Sequence, residues 1–230
     1  MTLAPILFVA FLGGVIPSLL WLTFWLLEDR CQPEPKRMIF YTFVAGMLGV
    51  FAVYFPEKAV QPFFSEGAAL FLWWALFEEL AKFLAVYFVA INTEYFDEPL
   101  DAVMYMVTAA LGFSALENAI FLIEPLRSGD MLKTLLTENL RFMGATLLHV
   151  LSSATIGIML ARAFYKDARA KKRALVVGLI LATVLHALFN FFILKGGAGG
   201  TLWLFLCIWI GIIATLLLIE RVKEPTKDYC

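Results

Sequence analysis

Long apolar runs, each about as long as a bilayer is thick, alternate along this chain with short polar breaks. A helix crosses a hydrocarbon core of about 30 Å with about 20 apolar residues. Seven segments meet that requirement: 3–27, 38–55, 67–91, 100–123, 140–164, 174–194 and 201–219. The pattern predicts an all-α, polytopic transmembrane bundle of about seven spans, folded as a single domain over 1–230. The breaks carry turn chemistry: C-Q-P-E-P-K-R after the first run, F-P-E-K after the second, F-D-E-P before the fourth and G-G-A-G-G between the last two. The glycine run reads as a connector, because no lysine follows it as in a phosphate-binding loop. The first run has no basic leader and is longer than the core of a cleaved signal, so it is expected to stay as a span. No repeat of 20 to 50 residues stands out.

Composition agrees with the pattern. Of 230 residues, 62% are hydrophobic and 16% charged, and the mean hydropathy is +0.84. A net charge of −1, with no basic stripe, gives no reason to expect nucleic acid. The three cysteines, Cys31, Cys207 and Cys230, are too scattered for a disulfide framework or a thiolate metal site. The placement of basic residues says more than their sum. With the N-terminus outside, twelve of them, including Arg30, Lys171, Lys172, Arg173, Lys223 and Lys227, fall in inner loops, against four outside. The positive-inside rule then predicts an integral protein of the plasma membrane, N-terminus out and C-terminus cytoplasmic.

Against that apolar background a few polar residues fall inside the spans: Glu78, Glu79, Lys82, Glu117, Asn118, Arg141, His149, His186 and Asn190. An ionised group at mid-bilayer costs about 2.5 to 3.5 kcal/mol on insertion scales, and helix-bonding contacts return only about 0.6 kcal/mol each. Two glutamates and a lysine in one turn therefore point to chemistry. At a rise of 1.5 Å per residue, Glu78 lies about 16 Å, His149 about 14 Å, His186 about 12 Å and Glu117 about 9 Å from the presumed outer surface. Four helices thus place an acid or an imidazole in one slab.

Helical spacing adds pairings. Lys82 stands four residues after Glu78 and three after Glu79, so it is expected to neutralise one carboxylate. Asn190 follows His186 by four and is expected to orient the imidazole or hold a shared water. Two adjacent carboxylates in a low dielectric do not both ionise cheaply, and one that takes up a proton near neutrality is a usable general base.

These residues also carry a resemblance. E-E-L-A-K (78–82) is similar to the E-E-x-x-K motif of the PrsW-like intramembrane proteases, and F-S-A-L-E-N (113–118) resembles their F-x-x-x-E-N. D-E-P-L-D-A-V-M-Y before the fourth span, His149 and H-A-L-F-N (186–190) complete the pattern over about 67–194. The resemblance implies membership of a superfamily that also holds CAAX prenyl proteases and bacteriocin-processing enzymes, which use glutamate and histidine to activate water. Carried over, Glu78 and Glu79 supply the base, and Glu117, His149 and His186 complete the site. Asn190 supports His186 or the oxyanion, with Lys82, Phe113 and Asn118 in supporting places. The implied substrate is a membrane-embedded protein, such as a single-span anti-sigma-like protein, cut near the extracytoplasmic half of the bilayer. Lysine stands one position earlier than the arginine of the prenyl-protease motif, and Glu117 replaces that branch's histidine, so prenylated substrates are not implied.

The expected activity is peptide hydrolysis without a cofactor. A zinc-dependent version would use Glu78, Glu117, His149 and His186, although no H-E-x-x-H occurs. Other readings of the same residues are a serine mechanism through His149 and Ser153, a proton-coupled transporter, and an inert membrane scaffold.

Overall fold

The computed structural model describes residues 3–29, 32–195 and 197–222. Arg30, Cys31, Gly196, Lys223, Lys227 and Cys230, which enter the readings above, lie outside the described residues. Eight helices and no strand are found among the rest: α1 (Leu3–Leu26), α2 (Lys36–Val60), α3 (Ala68–Val86), α4 (Pro99–Ser128), α5 (Met131–Leu140), α6 (Thr146–Arg162), α7 (Ala168–Lys195) and α8 (Gly197–Glu220).

Among the described residues, six stretches are long and apolar enough to cross a membrane, namely α1, Lys36–Phe63, α4, Met131–Arg162, Ala168–Ile193 and Leu202–Glu220. The seventh expected span is α3, which continues through a π turn at Tyr87–Ile91. Its three charged residues lower its apolarity, but all three are buried among the other helices. The large apolar side chains of the outer helices, such as Phe8, Leu20, Phe55 and Ile210, are exposed, as lipid contact requires.

The core is α4, buried without interruption from Pro99 to Ala115. Its start is well specified. Pro99 occupies the first turn, and a capping box joins Glu98 to Asp101, whose Oδ2 accepts the backbone N–H groups of Asp97 and Glu98 at 2.8 Å each. It ends at Gly129, whose φ of 72° only glycine adopts without strain. Helices α1, α2 and α6 pack directly on α4, and α3 and α7 close the bundle beside α2 and α6. The close approach of α2 and α4 rests on glycines. A Cβ at Gly46 would strike the carbonyl of Ala109, and one at Gly112 the carbonyl of Phe43.

Two stretches depart from expectation. Helix α2 runs five residues beyond the expected end of the second span, straight through Pro56, so Glu57 belongs to a helix rather than a loop. The run before the sixth helix is itself helical: α5 meets α6 through a π turn at Arg141–Ala145. Single π turns of this kind re-aim side chains and gather at functional sites.

Candidate active site

Glu78, Glu79 and Lys82 occupy the buried face of α3. Glu79 is completely enclosed, and both its oxygens are engaged. Oε1 accepts from Lys82 Nζ at 2.8 Å and from Ser152 Oγ at 3.0 Å, and lies 2.9 Å from His186 Nδ1; Oε2 accepts from Ser153 Oγ at 2.8 Å. A carboxylate so fully bonded is a fixed anion that orients its neighbours.

Lys82, also with no exposed surface, lies 2.8 Å from His149 Nδ1 as well. An ammonium only donates, so Nδ1 accepts, and donor–acceptor logic places the proton of a neutral His149 on Nε2. That nitrogen is 3.0 Å from Glu117 Oε2. By the same logic His186 donates from Nδ1 to Glu79, which leaves the Nε2 lone pair free. It faces Glu78 Oε2 at 3.7 Å. The two imidazole rings meet edge to face, 4.9 Å between centroids. Phe113 backs the group, its ring centroid 4.5 Å from Lys82 Nζ and 5.5 Å from the His149 ring.

Glu78 is the exception in this network. Its Oε2 is buried and makes no hydrogen bond, although Lys82 Nζ lies at 3.6 Å and His149 Nδ1 at 3.7 Å. A buried carboxylate oxygen without a partner is costly. Ligand atoms of Glu78, His149 and His186 all lie within 4.8 Å of one another, the one such cluster among the described residues.

The second acid is placed from the other side. Glu117, on α4, pairs with Arg141 Nη2 and faces His149. Arg141 stands in the π turn, where its Nε donates to Asn118 Oδ1 at 2.6 Å and its guanidinium covers the Phe121 ring at 3.9 Å. Asn118 in turn donates to Thr146 Oγ1 and Ser114 Oγ. A cavity of about 480 Å³ opens onto this arrangement, lined by Glu57, Glu78, Glu117, Arg141, His149, His186 and Asn190 and by aromatic walls that include Phe71, Trp74, Phe113 and Phe121.

All the residues singled out in the spans therefore meet in one region, with one expected pairing kept and three differences from the sequence reading. As expected, Lys82 pairs closely with one carboxylate, Glu79 at 2.8 Å, while Glu78 lies farther off at 3.6 Å. Asn190 lines the cavity but makes no hydrogen bond to His186, which Glu79 orients instead. Ser153 donates to Glu79 and is not paired with His149, so the imidazole is not placed to activate it. Glu117 is held by Arg141 and His149, apart from the three-residue cluster. Glu57 was missed, because the Pro56 before it read as a loop signal.

The fold and its interior define a class: a helical membrane bundle that encloses converging acids and imidazoles beside a cavity. Comparison with known proteins gives the particular family. Residues 34–218 match the model of the PrsW family intramembrane metalloproteases. The chain is 30% identical to the protease PrsW of Geobacillus kaustophilus over 186 residues, covering 79% of this chain and 78% of that one. It is 29% identical to the protease PrsW of Oceanobacillus iheyensis over 217 residues, 93% and 96% of the two chains. The Bacillus subtilis protease PrsW is 24% identical over 182 residues, 78% and 80% of the chains. No solved structure matches. The chain belongs to the PrsW family of intramembrane metalloproteases.

Proposed function

We propose that this protein is an endopeptidase that hydrolyses a peptide bond of a membrane-embedded protein inside the bilayer, with Glu78, His149 and His186 holding a divalent metal. The observation that carries the reading is the unbonded, buried Oε2 of Glu78 facing two imidazoles. The donor set fits such an ion. One carboxylate and two imidazoles suit zinc, and the bond from His186 Nδ1 to Glu79 is the outer contact that aims a ligating Nε2. One adjustment is needed: Lys82 gives up His149 Nδ1 and keeps Glu79. When bound, the ion supplies a Lewis acid and acidifies water.

The chain's own groups do the rest. Glu117 is anchored through Oε2 by Arg141 and His149, and its other oxygen, bonded to nothing among the described residues, takes up the proton lost by the attacking water. Asn190, on the cavity wall, donates to the oxyanion. Glu79 and Lys82 do not line the cavity and act by positioning. The aromatic walls exclude bulk water and accept an apolar segment, as expected for a single-span substrate such as an anti-sigma-like protein. With the N-terminus outside and the C-terminus cytoplasmic in the plasma membrane, the site lies in the extracytoplasmic half. Family membership supports hydrolysis over the transport and scaffold readings.

The test is cleavage of a single-span peptide by purified protein in nanodiscs, with metal analysis. Activity should vanish on chelation, return with zinc, and be lost in Glu78→Gln and His186→Ala. Full activity in metal-free protein would remove the ion and leave Glu78 as the general base; full activity in both variants would overturn the assignment of the site.

A further inference from the structure

The cavity holds one acid that the proposed chemistry does not use. Val50, Val53, Tyr54 and Glu57 line it together, spaced three and four residues apart on a single face of α2. Glu57 is half-buried and close enough to Glu78, Glu117 and Lys82 for their charges to act on it. It nevertheless has no ion-pair or hydrogen-bond partner among the described residues.

The nearby cations are already committed. Arg141 pairs with Glu117, and Lys82 pairs with Glu79. Lys58, the next residue, is exposed and lies over the Tyr54 ring, 5.8 Å from its centroid, without an ion pair to Glu57 among the described residues. A carboxylate left unneutralised beside other acids, on an otherwise apolar wall, is unfavourable until a cation reaches it. The cavity where a substrate would lie is the place such a cation can come from.

We propose that Glu57 forms an acidic subsite that selects a substrate segment carrying a lysine or arginine next to its apolar stretch. The subsite deepens the protease reading and rests on it for the word substrate, but the cation preference itself is a binding property. The carboxylate takes the ammonium or guanidinium group, while Val53, Tyr54 and Phe121 pack against its aliphatic stem.

The experiment uses full-length protein in nanodiscs and two labelled single-span peptides that differ only in having lysine or norleucine at the position flanking the apolar run, moved along it one residue at a time. In one register, wild-type protein should bind the lysine peptide about fivefold more tightly, the effect of a partly screened charge pair. Glu57→Gln should erase that preference while leaving affinity for the norleucine peptide unchanged, and Glu57→Lys should reverse it, so that the norleucine peptide binds more tightly. Equal binding of both peptides by wild-type protein in every register, or a preference that survives Glu57→Gln, would overturn the proposal. Cleavage is read in parallel. Preference without cleavage of either peptide counts against the protease reading alone, and cleavage without preference counts against the subsite alone.

Discussion

Nδ1 of His186 lies 2.9 Å from Oε1 of Glu79, a residue 107 positions earlier in the chain. The contact fixes which ring nitrogen carries the proton and turns the other toward Glu78. Glu79→Gln keeps the shape but offers His186 a weaker acceptor or, if the amide flips, a donor. Loss of such an outer contact typically costs 10- to 100-fold in metal affinity or activity. Peptide cleavage and zinc affinity should therefore both fall by about that much, while the substrate KM stays nearly constant. An unchanged zinc affinity would detach Glu79 from the site.

Ser153 gives the opposite expectation. Its hydroxyl is one of four donors around Glu79, so Ser153→Ala removes a single buried hydrogen bond, worth about 1 kcal/mol. Turnover should stay within a few-fold of wild type and thermal stability should drop slightly. A complete loss of cleavage in a folded variant would restore the serine mechanism.

The contrast between these residues shows what the sequence could and could not reveal. The spans were legible because about 20 apolar residues in a row leave few alternatives, and the polar residues that gather at the cavity were legible because charge inside a span is so expensive. The pairing of Lys82 with Glu79 and of His186 with Glu79 was not, since it depends on how far each helix is rotated about its axis. Helix α5 escaped notice because K-T-L-L-T-E-N breaks the apolar window, although its residues are ordinary helix formers. Pro56 misled in the other direction: a proline reads as a stop, yet α2 continues through it and brings Glu57 to the cavity.

At the opposite end of α4 from Arg141, Glu34 in the loop after α1 accepts a hydrogen bond from Tyr105 and faces Asp101. Burial pushes its carboxyl up to about 9, and the neighbouring Asp101 adds to the shift. A carboxyl that binds its proton more tightly in the folded than in the unfolded state favours folding at low pH. Its contribution is complete below the unfolded value near 4.5 and is lost as pH rises toward 9. The melting temperature in detergent should thus decline between pH 5 and pH 9. Glu34→Gln, permanently neutral, should flatten that decline. A wild-type melting temperature that rises over the same interval would show that Glu34 is ionised in the folded protein.

Lys82 and Glu79 are both without exposed surface and 2.8 Å apart, so each is tolerable only because of the other. Removing one partner of a buried ion pair costs about 3 to 5 kcal/mol, because a charge is left behind in a low dielectric. Lys82→Met and Glu79→Gln should each destabilise the protein by about that amount. The double variant leaves neither charge, and replacing a whole buried pair is often close to neutral. It should therefore be more stable than either single variant, a non-additivity that a double-mutant cycle on thermal or denaturant unfolding measures directly. His149 complicates the balance, since Lys82→Met also removes the donor to its Nδ1. Freed of that donor, Nδ1 is available to an ion, so zinc should stabilise Lys82→Met more than it stabilises the wild type. Equal stabilisation by zinc in both proteins would mean that Lys82 does not compete for His149, and strictly additive single losses would mean that the pair is not the unit that neutralises α3.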